Sequence, residues 1–204
     1  MKARANILLY NIGAVVIGLA ISAGMLLFMG VNPAEVCGQT LAKIVTDRYN
    51  LGEILVKATP LIFTSLAFAF TYKANLFNIG AQGQFAMGSI AAVALSLAMQ
   101  DRVPTGLLLL VVLLGSFAAG AAVGGLIGLA KAKRGANEFL VSMMSTYVVS
   151  NLMDYLLRTS LQETKAEYMQ TDAISASAYL PNILPGTRVH LGFLLAVAAA
   201  VSVW

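Results

Sequence analysis

The sequence predicts an all-α fold: a polytopic transmembrane helix bundle of about six helices with a cytoplasmic N-terminus. Three observations lead there. Of the 204 residues, 59% are hydrophobic and 11% are charged, against about 25% charged in a soluble domain. Several apolar runs reach the ~20 residues that a helix needs to cross a bilayer. The charged residues sit in short segments between those runs, where they set membrane orientation. The net charge of +4 therefore reads as a topology signal directed at the lipid bilayer, and nucleic acid is not an expected partner.

The elements follow in order. Ile7 to Met29 lies behind Lys2 and Arg4 and exceeds the ~7–15 apolar residues of a signal peptide, so a retained span is expected. Asn32 to Asn50 carries mixed charge, and Leu41, Ile44 and Val45 are spaced along one face of a short helix, which suits a segment lying at the membrane surface. The second span runs from about Ile54 to Tyr72. Lys57 and Pro60 are expected in its first turns, where a Lys reaches the headgroups and a Pro needs no donor. The third, fourth and fifth spans are Leu76–Met99, Val103–Ala130 and Phe139–Leu157. A polar segment, 158–189, precedes the sixth, Leu191–Trp204. That last run is too short to cross a bilayer, so residues 1–204 are expected to be one transmembrane domain forming the N-terminal part of a longer protein.

Lys and Arg in short loops mark the cytoplasmic side. Lys2 and Arg4, Lys73, and the cluster Lys131, Lys133 and Arg134 all fall there when six crossings start from an inside N-terminus. Glu35, Asp47, Asp101, Glu163, Glu167 and Asp172 collect on the other side, which makes 158–189 an external loop.

Polar residues inside the spans are the candidates for function. Asn78-Ile79-Gly80-Ala81-Gln82-Gly83-Gln84 places three amides and two glycines in an otherwise apolar run. Unpaired polar groups in hydrocarbon are costly, so they face a bundle interior or an aqueous path. On a helix Asn78 and Gln82 share a face, and Asn75 extends it. Gly80 and Gly83 weaken a helix, so a broken helix near 76–99 is expected. Such breaks occur where protein or a water-filled cavity surrounds them. Two readings stand: interhelix hydrogen bonding that fixes packing, or the lining of a translocation pathway. Ser116, Gly120, Gly124 and Gly128 recur every four residues and form a smooth groove for close helix approach, either inside the bundle or as a dimerisation face. In the fifth span, Ser142, Thr146 and Ser150 share a face, with Asp154 near the outer end; such hydroxyls often bond carbonyls of their own helix. Asn137 reads as a helix cap and Glu138 as a first-turn acid. No catalytic constellation or metal cluster is apparent. The lone Cys37 and lone His190 offer neither a disulfide within the chain nor a metal site, and a phosphate-binding GxxxxGK[ST] loop is absent.

Phe77-Asn78-Ile79-Gly80-Ala81-Gln82-Gly83-Gln84 resembles the FNIGxEGQ signature of ABC importer permeases of the nucleoside and simple-sugar type. The basic loop with Gly135-Ala136-Asn137-Glu138 is similar to the GANE element of that family, and Leu180 to His190 resembles its external segment before the next helix. These matches are ordered along 77–204; the first 50 residues agree only in type. The resemblance implies a permease subunit of a bacterial importer in the cytoplasmic (inner) membrane, with no enzymatic activity and no bound cofactor. It implies as partners ABC ATPase subunits that bind ATP, a second permease subunit and an external substrate-binding lipoprotein. It places Asn78, Gly80, Gln82, Gly83 and Gln84 by the translocation pathway. Gln82 stands where the family often has Glu, which removes a charge and suits a neutral solute. The family's further helices and its ATPase-docking coupling helix would follow residue 204, so a chain ending at Trp204 would not couple to ATP hydrolysis. The expected cargo is a nucleoside or related sugar. A pentose or a branched-chain amino acid is the competing cargo, and a membrane assembly protein without transport is the competing class.

Overall fold

The computed structural model describes residues 2–163 and 167–203. Trp204, the end of the expected sixth span, and 164–166 of the polar loop lie outside the described residues. Seven α-helices account for most of the chain, and the described residues hold no strand beyond a single antiparallel bridge, Asn182–His190. The chain divides into two units, Met1–Leu51 and Gly52–Trp204.

The first unit holds α1 (Lys2–Phe28) and α2 (Pro33–Thr46). From Tyr10 to Phe28 none of α1 is buried. Its large apolar side chains, such as Ile17, Leu19 and Leu27, stand exposed, as they do on a helix whose solvent is lipid. Asn32 caps α2 by accepting from the Ala34 N–H, with Pro33 at the first helical position, where a missing donor costs nothing. Leu41, Ile44 and Val45 are exposed on this helix.

The second unit is built from α3 (Arg48–Lys73, entering from the first unit), α4 (Ala81–Met99), α5 (Thr105–Arg134), α6 (Glu138–Arg158) and α7 (Gly192–Val203). Helix α3 starts six residues before Ile54, so Pro60 lies inside the helix and not in its first turns. There it lacks the N–H that would bond the Val56 carbonyl. Helices α1, α3, α4 and α5 are long and apolar enough to cross a membrane. Helix α6 has the length, but Ser142, Ser145, Thr146, Ser150, Asn151 and Asp154 make it more polar than those four. Helix α7 has only 12 residues.

Helices α4, α5 and α6 pack on one another. Val123 and Ile127 of α5 meet Val149 of α6, flanked by Ala86, Met87 and Ile90 of α4. Towards the other end, Leu108 and Val112 of α5 pack against Ala178, the last residue of a 3₁₀ turn at Ala176–Ala178. The polar segment is thus partly ordered onto the bundle.

The tight turn between α5 and α6 has a clear origin in sequence. Gly135 adopts φ 60°, a left-handed conformation that glycine takes without a Cβ penalty. Its N–H donates to the Lys131 carbonyl and that of Ala136 to the Ala130 carbonyl, which satisfies the open end of α5. Lys131, Lys133 and Arg134 occupy the last turn, where cations meet the negative end of the helix dipole.

Candidate functional site

The amide-rich stretch sits at the entry of α4. Residues 76–80 are not helical, and α4 then runs unbroken from Ala81 to Met99. The break expected inside a span is therefore a non-helical lead-in before one. Asn75 does not extend the face of Asn78 and Gln82; it sits in the turn after α3 with φ 56°, a left-handed conformation that Asn tolerates better than most residues. Phe77 anchors the lead-in: its ring lies 5.5 Å from Phe68, 5.9 Å from Tyr72 and 6.3 Å from Phe139. It thereby ties the end of α3 to the start of α6.

The hydrogen bonds explain the conformation. Asn78 Oδ1 accepts from the Gly80 N–H at 2.9 Å, and Ser142 Oγ accepts from the Ile79 N–H at 3.3 Å. Ser142 is fully buried. Backbone donors that would otherwise lie unpaired at a helix entry are thus met by side chains from the same stretch and from α6.

The two glycines have a steric role. A β-carbon on Gly80 would lie 3.1 Å from the Ser142 carbonyl oxygen, and one on Gly83 would lie 2.8 Å from Thr146 Cα. Gly83 does not break α4; it lets α4 approach the backbone of α6. The α6 hydroxyls turn inward on their own helix: Ser145 donates to the Val141 carbonyl and Thr146 to that of Ser142.

Gln82 and Gln84 separate. Two positions on a helix differ by about 200°, so the two amides face different neighbours. Gln82, which is exposed, and Asn78 line a cavity of about 390 Å³ together with Thr64, Ser65 and Phe68 of α3. Its side-chain lining is amide, hydroxyl and apolar, with no charged residue. Gln84 faces α5. A β-carbon on Gly120 would sit 3.1 Å from its carbonyl oxygen, and one on Gly124 would sit 3.1 Å from its Nε2. That Nε2 is buried and has no hydrogen-bond partner. Beside it a groove of about 640 Å³ runs between α4 and α5.

Along α5, Ser116 also meets α4: a β-carbon on Gly88 would lie 3.2 Å from its carbonyl oxygen. Gly128 has open space around it, so close approach along this row stops at Gly124. Asn137 caps α6 by accepting from the Phe139 and Leu140 N–H groups. Lys131 Nζ reaches Glu138 Oε2 at 2.7 Å and bridges the α5–α6 turn. Lys133 and Arg134 are exposed at the same end.

Thr64 and Ser65 are the residues that the sequence reading missed. The signal was present: two adjacent hydroxyls in an apolar span, the same cue that singled out α6. In α3 it was masked because each hydroxyl alone is unremarkable, and Thr64 indeed donates to the Pro60 carbonyl.

Comparison with known proteins completes the picture. No solved structure matches the chain. The chain is 34% identical over 200 residues to the glucose ABC transporter permease protein TsgB13 of Haloferax volcanii, covering 93% of this chain and 52% of that protein. It is 32% identical over 206 residues to the guanosine ABC transporter permease protein NupP of Bacillus subtilis, covering 100% and 59%. It is 27% identical over 196 residues to the nucleoside ABC transporter permease protein NupB of Lactococcus lactis, covering 92% and 54%. The chain spans about half the length of these curated relatives. Residues 50–204 match the family described as branched-chain amino acid transport system / permease component. With most of its length inside that match and four helices fit to cross a bilayer, the chain is a multi-pass membrane protein that belongs to this permease family.

Proposed function

We propose that this chain is part of the membrane-spanning permease subunit of an ABC importer for nucleosides or related simple sugars. The observation that carries the reading is similarity along almost the whole chain to permeases named for glucose and for guanosine. Both solutes are uncharged and rich in hydroxyl groups. The cavity beside the α4 entry suits such a solute: Asn78, Gln82, Thr64 and Ser65 offer donors and acceptors, and Phe68 offers an apolar face. In this reading Asn78 and Gln82 border the pathway near its cytoplasmic end, beside Lys73 and the Lys131–Arg134 cluster, and Gly80, Gly83 and Gln84 support it by holding α4 against α5 and α6. The subunit itself hydrolyses nothing. ATP is bound by separate ATPase subunits, a second permease subunit completes the channel, an external lipoprotein delivers solute, and the assembly sits in the bacterial cytoplasmic membrane.

The test is uptake by the intact transporter. Labelled guanosine is taken up, and unlabelled guanosine or glucose competes while leucine does not. Competition by leucine alone selects the branched-chain amino acid reading that the family description raises. Gln82→Leu lowers uptake about tenfold, equivalent to ~1.4 kcal/mol of activation free energy, at an unchanged level of protein in the membrane. Unchanged uptake removes Gln82 from the pathway. A preparation that transports no solute and never co-purifies with ATPase subunits returns the chain to the class of membrane assembly proteins.

A further inference from the structure

At the end of the bundle opposite the basic turn lies a second cavity, of about 850 Å³, mostly apolar with a few polar groups along its edge. Small-molecule sites span roughly 300–1,000 Å³. Its floor comes from the first half of α5, including Ser116, and its wall includes Val56 of α3. Its roof is the segment from Ala176 to His190.

The roof is a built structure. Residues 181–191 fold back as a short hairpin: the Ile183 N–H donates to the Val189 carbonyl at 2.7 Å, and the Leu191 N–H to that of Pro181 at 3.0 Å. Val189 is 1% exposed and fixes the hairpin in the bundle. Gly52 of α3 makes room for it, since a β-carbon there would lie 2.8 Å from Thr187 Cβ. Arg188 Nη1 lies 3.6 Å from Glu53 Oε1. That carboxylate offsets the guanidinium charge at the cavity.

The groups on offer are specific in kind. His190 Nδ1 accepts from the Gly192 N–H at 3.2 Å; a ring nitrogen that accepts carries no proton, so the proton-bearing Nε2 remains as a donor. Asn182 adds an amide with both donor and acceptor. The Ser116 hydroxyl donates to the Val112 and Leu113 carbonyls and keeps a lone pair to accept. Tyr179, exposed at the rim, supplies an aromatic face and a hydroxyl. A ring compound with apolar faces and a hydroxylated edge matches this set.

We infer that this cavity is an external vestibule that binds an uncharged sugar or nucleoside before it enters the bundle, with His190, Asn182 and Ser116 on its polar edge and Tyr179 on its ring face. The inference rests on the permease reading and deepens it. The positive-inside rule puts the Lys131–Arg134 end in the cytoplasm, and the vestibule opens at the other end, where solute arrives.

The experiment uses the full-length permease with its partner subunits, in right-side-out vesicles. Cys37 is the one cysteine of residues 1–204; Cys37→Ser, with any other cysteine of the full-length permease also changed to Ser, is the background, and labelling is read on the permease alone. Asn182→Cys and, separately, Tyr179→Cys are labelled with a maleimide, with Ser160→Cys in the exposed turn just after α6 as control. Guanosine or glucose slows labelling at 182 and 179 about threefold at twice its Kd, because only the empty fraction reacts; leucine does not, and 160 is unaffected. In parallel, His190→Ala raises the half-saturating solute concentration for uptake about tenfold with the maximal rate retained, and His190→Gln, which keeps a donor, recovers part of it. The inference is overturned if neither solute protects 182 or 179, or if leucine protects equally. Uptake by the unmutated transporter is scored separately. Uptake without protection removes the vestibule and leaves the permease; protection without uptake keeps the binding site and removes transport.

Discussion

The two ends of the α4–α5 pair put polar and small residues to opposite use. At the basic end, Gly80, Gly83 and Gln84 are pressed against α5 and α6, and the Asn78 amide oxygen and Ser142 hydroxyl are engaged with backbone N–H groups. At the far end α4 and α5 remain packed through Leu95, Met99, Leu108 and Val112, and an 850 Å³ cavity lies beside them under a hairpin roof. A polar residue in an apolar run thus has two different explanations within one protein. Where a partner backbone lies within hydrogen-bond reach, polarity serves packing. Where a folded loop holds a cavity open, the same residue types line space that a solute can fill. The comparison also divides the NIGAQGQ stretch itself: Asn78 and Gln82 face a cavity, while Gly83 and Gln84 face helices.

Three glycines sharpen this contrast, each read by thermal unfolding of the detergent-purified permease. Gly83→Ala has the largest effect, because its β-carbon would meet the α6 backbone at Thr146 Cα, which cannot move without moving the helix. A loss of ~1–3 kcal/mol is expected for such overpacking; an unchanged melting temperature would mean that α4 and α6 are less tightly apposed. Gly52→Ala ranks second. Its nearest neighbours are side-chain atoms of Thr187 and Val189 on the hairpin, so the loop yields before a helix does. The expected cost is at most ~1 kcal/mol, with faster proteolysis or hydrogen exchange confined to 181–191. Disruption spreading to α5 would contradict a separable roof. Gly128→Ala is the smallest. Nothing lies within 4 Å of its β-position, and replacing a helical Gly with Ala favours the helix by up to ~1 kcal/mol in water. Stability is retained or slightly raised. A loss as large as that of Gly83→Ala would show that another helix covers this position in the assembled transporter.

Much of the fold was legible in the chain. Apolar run length located the helices, since a bilayer sets one length for all of them. The boundaries at Gly135 and Asn137 followed from local chemistry: a left-handed residue ends α5 and an amide oxygen caps α6. Pro60 was misplaced because α3 begins at Arg48, in the polar stretch before the apolar run, so run length located the span but not the start of the helix. The candidate site was only half legible. The stretch from Asn78 to Gln84 stood out by composition, yet its glycines looked like helix breakers when read alone. Their close contacts come from α6, more than 60 residues away, and no local pattern reveals such a neighbour. Thr64 and Ser65 carried a visible but weak signal, and their weight comes from α3 bringing them beside Asn78 and Gln82.

The sequence by itself determined the membrane solvent, the caps of the α5–α6 turn and the family signature. These depend on composition and on groups within a few residues of one another. Tertiary structure alone decided which polar side chains are consumed by packing and which face open space. That distinction depends on the distance between helices, set where glycine admits a backbone and where a folded loop holds a cavity open.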